Sequence, residues 1–97
     1  MKPVNLAVFI SGTGSNLNQI LDMRGHFEVR VVVSNRKKAA GVLRARRRGC
    51  RFIYLGKDST FDQLQKELEE NGVDAIFCAG FMKIIPEEFL KNWEGRI

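Results

Sequence analysis

The stretch Val4 to Ile10 is almost continuously apolar and rich in branched and aromatic side chains. A run of that length and composition predicts a strand buried on both faces, as in a parallel sheet. Ser11-Gly12-Thr13-Gly14-Ser15 breaks the run. Leu17, Ile20 and Leu21 then recur at helical spacing, which predicts a helix over 16–23 with Gly25 as its stop. Glu28 to Val33 reads as a second strand, ended by Ser34-Asn35. A helix over Ala39 to Arg48 follows, with Ala39, Val42 and Leu43 inward, Arg44, Arg47 and Arg48 outward, and Gly49 at its end. Phe52 to Leu55 is a short third strand. Ser59 or Thr60 caps a helix over Phe61 to Glu70, whose apolar stripe is Phe61, Leu64 and Leu68. Asn71-Gly72 closes it. Val73 to Ala79 predicts a fourth strand, Gly80 to Ile85 a loop, and Pro86 to Lys91 a fourth helix with proline in its first position.

This alternation with short links predicts parallel strands, right-handed crossovers and an α/β sheet covered by helices on both faces. A strand order of 3-2-1-4 sets the first and fourth strands side by side. The 97 residues amount to one α/β domain over 1–97, with no internal repeat. A chain this short buries only about 60–65% of the surface that its unfolded form exposes, so the core is modest.

Composition narrows the classes. Apolar residues are 44% and charged residues 28%, an ordinary globular balance that excludes disordered, collagen-like and coiled-coil chains. The longest apolar run, Leu6 to Ile10, is far below the ~20 residues of a membrane span. Met1-Lys2-Pro3-Val4-Asn5 enters the first strand without the architecture of a signal peptide, so the expected location is cytoplasmic, with no membrane partner. Cys50 and Cys78 form no C-x-x-C pair and the one histidine is His26, so no metal site is expected. Cys78 sits in the apolar run Ala75 to Ala79 and reads as a buried, reduced thiol, and His26 as a surface residue.

The net charge is +5, and its placement is local. Arg36, Lys37, Lys38, Arg44, Arg46, Arg47, Arg48 and Arg51 lie together with no acid among them, and removing those eight from +5 leaves −3 for the rest. A solvated helix face that also attracts anions accounts for the stretch. The alternative, a basic nucleic-acid-binding module, lacks interleaved aromatics and any recognisable motif, so no nucleic-acid partner is expected.

The strand–turn–helix over Val4 to Met23 carries the most chemistry. Ligands of such sheets sit outside the carboxyl ends of the strands. Gly12 and Gly14 admit close approach of a ligand, and a helix N-terminus behind them offers free N–H groups that suit a phosphate. Ser15 and Asn16 add side-chain donors. Leu17 stands where a dinucleotide fingerprint needs its third glycine, and the second strand ends at Ser34-Asn35 rather than at an acid. No Gly-Lys-Ser/Thr follows either. A single phosphate, as on a ribose 5-phosphate, fits better, while a plain capped turn would use the same residues. At the end of the fourth strand, Phe81, Met82, Ile84 and Ile85 either wall an apolar pocket or simply seat the next helix.

Taken together, Ile10-Ser11-Gly12-Thr13-Gly14-Ser15-Asn16-Leu17, Ser34-Asn35 and Ala79-Gly80-Phe81-Met82-Lys83-Ile84-Ile85 resemble the folate-dependent glycinamide ribonucleotide (phosphoribosylglycinamide) formyltransferases of purine synthesis. The resemblance covers nearly the whole chain and about the first half of a family member. It implies a Rossmann-like parallel sheet and an N-terminal ribonucleotide-binding portion. It implies that Gly14, Ser15 and Asn16 hold the phosphate of glycinamide ribonucleotide. It also implies that Met82, Lys83, Ile84 and Ile85 line the pocket of the co-substrate 10-formyltetrahydrofolate. Lys83 stands where the family often has arginine, and it keeps the charge without the planar fork. A related reading, formyltetrahydrofolate deformylase, differs at the first motif.

The family's catalytic asparagine, histidine and aspartate lie beyond Ile97, so no catalytic residue is expected in this chain. Formyl transfer needs an oxyanion donor and a group that moves a proton, and loss of one donor alone costs on the order of 10²–10³ in rate. The 97 residues alone are therefore expected to be inactive. The edge of the fourth strand, Val73 to Ala79, is expected to present unpaired backbone groups and to favour self-association.

Overall fold

The computed structural model describes residues 4–10, 27–35, 40–56, 60–79, 81 and 85–97. The elements are β1 (Val4–Ile10), β2 (Phe27–Ser34), α1 (Ala40–Arg47), β3 (Arg51–Tyr54), α2 (Phe61–Glu70), β4 (Ala75–Ala79) and α3 (Glu87–Asn92). The helix expected over 16–23 lies outside the described residues. The four strands form one sheet in the order β3-β2-β1-β4, and every neighbouring pair is parallel. β1 is central and its residues Leu6 to Ile10 are all buried, as its unbroken apolar run requires.

β2 extends the expected strand by one residue at each end, because Phe27 and Ser34 also pair with β1, and it carries a bulge. The register passes from Leu6 opposite Val29 to Ala7 opposite Val31, leaving Arg30 as the extra residue. The bulge slips the alternation, so that Val29 shares a face with Val32 while Val31 and Val33 take the other.

Both described helices that end in glycine close in the same way. Gly49 (φ 75°) and Gly72 (φ 69°) adopt a left-handed conformation that costs glycine little. The next residue then bonds back into the helix, Cys50 N–H to the Ala45 carbonyl and Val73 N–H to the Leu68 carbonyl, both at 3.0 Å. Val73 therefore belongs to the end of α2, and β4 starts at Ala75 rather than at Val73. At the other end of α2, Thr60 Oγ1 accepts the Gln63 N–H at 3.1 Å. Pro86 is the N-cap of α3 and not its first residue, since its ψ of 144° is extended.

Two apolar clusters lie on opposite faces of the sheet. Ala7, Phe9, Val31, Val33 and Ile76 meet Leu64 and Leu68 of α2, Phe89 of α3 and Trp93. Val8, Ile10 and Val32 meet Ala45 of α1, with Cys50 and Phe52 beside them. Thus α1 covers one face, and α2 and α3 cover the other. Arg46, Arg47 and Arg48 are exposed on the α1 side, whereas Asp62, Glu69, Glu70, Glu87 and Glu88 are exposed on the α2/α3 side.

Two expected burials are corrected. Leu43 is 61% exposed and Ala45 is the buried residue of α1. Residues two apart on a helix point about 200° apart, so both cannot face the sheet. Cys78 is exposed rather than buried. β4 has a strand neighbour only in β1, and Phe77 and Cys78, which point to opposite faces, are both left uncovered among the described residues.

The expectation of an open β4 edge is also corrected at one position. Gly95 (φ 76°) turns the chain after α3, and the Arg96 carbonyl accepts the Ile76 N–H at 2.8 Å. The Arg96 side chain donates to the Asn92 carbonyl at 2.6 Å and lies over the Trp93 ring, 4.9 Å from its centroid.

Candidate ligand-binding site

The parallel sheet brings the carboxyl ends of three strands together. Ile10, the last residue of β1, pairs with Ser34 at the end of β2 and with Ala79 at the end of β4. The glycine-rich sequence follows Ile10 directly along the chain, and Asn35 follows Ser34. Gly14, Ser15, Asn16, Met82, Lys83 and Ile84 lie outside the described residues, as does His26.

On the β4 side, Phe81 and Ile85 pack against the cluster beneath α2 and α3. Phe81 meets Phe9 edge-on, with ring centroids 5.3 Å apart. Phe9 in turn lies 6.2 Å from Phe89, which meets Phe61 edge-on at 5.1 Å. Such aromatic pairs contribute about 0.5–1.5 kcal/mol each beyond the area that they bury. Phe81 and Ile85 are therefore both anchored to the core.

On the β2 side, Ser34 is fully buried and its carbonyl accepts the Leu55 N–H at 2.8 Å, which extends the ladder with β3 beyond the last strand residue. Asn35 follows, and its Oδ1 is a buried atom with no hydrogen-bond partner. Sequence reasoning passed over Asn35 as a site residue. The sign in the sequence was a polar pair, Ser34-Asn35, directly after the apolar run Val31 to Val33.

At the end of β3 the Tyr54 ring lies over Gly56, where a Cβ would come within 2.5 Å of it. A cavity of about 60 Å³ lies nearby, lined by Ile53, Tyr54, Thr60, Gln63 and Glu67 among others. It holds a few waters at most. Arg51 and Glu67 pair at 2.9 Å beside it.

Neither cysteine is set up as a nucleophile. Burial pushes the Cys50 thiol up, opposed by Arg48 and reinforced by Glu28, and its Sγ donates to the Val29 carbonyl at 3.2 Å. Partial burial also raises the Cys78 thiol. Among the described residues no group of three or more His, Cys, Asp or Glu could hold a metal ion, and no helix is long and apolar enough to cross a membrane.

Residues 4–97 match the family model described as formyl transferase. The phosphoribosylglycinamide formyltransferase of Escherichia coli K12 is 36% identical over 97% of this chain, which covers 49% of that protein. The trifunctional purine biosynthetic protein adenosine-3 of Gallus gallus is 38% identical over 97% of this chain and 10% of its own length. The crystal structure of phosphoribosylglycinamide formyltransferase from Anaplasma phagocytophilum superposes with a TM-score of 0.89 at 32% identity, covering 98% of this chain and 48% of that one. The chain thus spans about half the length of the single-function relatives and a tenth of the trifunctional one.

Proposed function

This chain belongs to the formyl transferase family, and from that premise we propose that it is the N-terminal, ribonucleotide-binding portion of a cytoplasmic phosphoribosylglycinamide formyltransferase. In that reaction the amine of glycinamide ribonucleotide takes a formyl group from 10-formyltetrahydrofolate. The observation that carries the reading is the match across 97% of the chain to the Escherichia coli enzyme. The physical logic agrees with it. A glycine turn leaving the central strand, followed by a segment of helical spacing, suits the phosphate on Gly14, Ser15 and Asn16.

The same logic favours Met82, Lys83, Ile84 and Ile85 as the lining for the folate, which supplies the formyl carbon. In support, Phe81 and Ile85, which stand on either side of Met82 to Ile84 in the sequence, pack against the core. Attack by the amine needs an oxyanion donor and a proton carrier, and by the family resemblance these belong to the segment that follows Ile97 in family members. We assign no catalytic residue to this chain. The exposed side of β4, with Phe77 at 49% exposure, is where that further segment would pack, or a second copy in its place.

The test is an assay of formyl transfer by the purified 97-residue chain, alone and mixed with a fragment supplying the C-terminal half of a relative. The expected result is no turnover alone, with glycinamide ribonucleotide bound and turnover restored by the fragment. Turnover by the chain alone would overturn the assignment of catalysis to the part of the relatives that this chain does not match. Failure to bind the ribonucleotide in the reconstituted form would overturn the substrate.

A further inference from the structure

We propose that Asn35 is a further binding residue, whose buried side-chain oxygen accepts a hydrogen bond from a sugar hydroxyl of the ribonucleotide. The inference rests on the reading of the Gly14-Ser15-Asn16 turn as the phosphate site of that ribonucleotide.

Asn35 directly follows Ser34, and Ser34 is paired with Ile10, the residue from which the turn departs. Asn35 therefore stands at the carboxyl edge of the sheet, beside the root of the turn. Among the described residues its Oδ1 is buried and has no donor. Buried acceptors are nearly always paired, because an unmade hydrogen bond there forfeits hydration with nothing in return. A donor that arrives with the ligand resolves this. An amide oxygen only accepts, and a phosphate dianion has no proton to give, so the phosphate is not the donor. A sugar hydroxyl is one.

The position has a physical precedent. In sheets that bind dinucleotides, the acceptor for a ribose hydroxyl is a carboxylate about 20 residues past the glycine turn, at the end of the second strand. Asn35 lies at that place and spacing, with the acceptor kept and the charge removed. Removal of the charge suits a ligand whose dianionic phosphate is held by the residues that follow Ile10, since a carboxylate near it would repel it.

The proposal is tested by calorimetric titration of the intact protein with inorganic phosphate, ribose 5-phosphate and its 2-deoxy and 3-deoxy analogues. The wild type is expected to bind ribose 5-phosphate about 3- to 10-fold tighter than one of the deoxy sugars. Asn35→Ala should bind all three sugars alike while keeping its affinity for inorganic phosphate. Asn35→Asp should keep the sugar preference and bind every phosphate more weakly. A sugar preference that survives Asn35→Ala, or no preference in the wild type, overturns the proposal. So does loss of inorganic phosphate binding in Asn35→Ala, which would make the residue a structural support. A wild type that binds neither phosphate nor ribose 5-phosphate fails the ribonucleotide reading itself, and this inference with it.

Discussion

The carbonyl of Arg96 accepts the backbone N–H of Ile76 at 2.8 Å. This bond joins the segment after α3 to the outer edge of β4, and Arg96 is held in place from its other end by the Asn92 carbonyl and the Trp93 ring. Removal of residues 95–97 should therefore open that edge. The amide of Ile76 is expected to exchange about fivefold faster in the truncated chain, for the loss of roughly 1 kcal/mol of local protection. Hydrogen exchange resolved at that amide reads the result, and unchanged protection would show that β4 is covered by something else.

The turn predicts a binding phenotype at Asn16. Asn16→Ala should weaken glycinamide ribonucleotide by about 1.5–3 kcal/mol where it removes a bond to a charged phosphate. Titration against the ribonucleotide and against the dephosphorylated nucleoside separates the causes. A loss that is equal for both ligands would move the phosphate elsewhere.

The cysteines predict a reactivity order and a pH dependence. Cys78 is exposed and Cys50 is half-buried with its thiol bound to Val29, so iodoacetamide should modify Cys78 first, with Cys50 following only on opening. Burial raises the Cys50 thiol in the folded state. The folded state then keeps a proton that the unfolded state releases above the ordinary thiol value of about 8.5. Stability is full below that pH and falls as pH rises towards the folded value. Denaturant unfolding at pH 7 and pH 10 should show a decline that Cys50→Ala flattens.

Gly56 predicts a coupling. A methyl group there would meet the far end of the exposed Tyr54 ring at 2.5 Å, so Gly56→Ala should displace the ring at a cost below the ~1 kcal/mol at which overpacking of a closed core begins. In a Tyr54→Ala background the same substitution should be nearly neutral. Equal costs in both backgrounds would place the strain in the backbone and not in the ring.

Much of this architecture was legible because local chemistry and tertiary demand agree in it. Val4 to Ile10 could only be a central strand, Gly49 and Gly72 could only be helix ends, and Phe61 to Glu70 carries its cap and its stripe in its own letters. The illegible parts depend on neighbours. Leu43 lies outward because Ala45 claims the sheet, and Cys78 is exposed because β4 is an edge. The bulge at Arg30 left no mark in an alternation too short to show a slip. In the candidate site, the glycine turn was conspicuous, whereas Asn35 was not. A single amide beside a strand end reads as turn chemistry until the burial of its oxygen is seen.

The division of charge between the faces of the sheet has an electrical consequence. Arginines of α1 stand on one side and carboxylates of α2 and α3 on the other, with a low-dielectric core between them. The described charges of the three helices thus form a dipole across the sheet, with Lys66 and Lys91 offsetting part of the carboxylate side. A small dianion would be drawn first to the arginine side and only then along it to the carboxyl edge of the strands. That guidance fades once salt shortens the screening length to about 8–10 Å, and it would appear as an association rate that falls with ionic strength while the dissociation rate stays nearly constant.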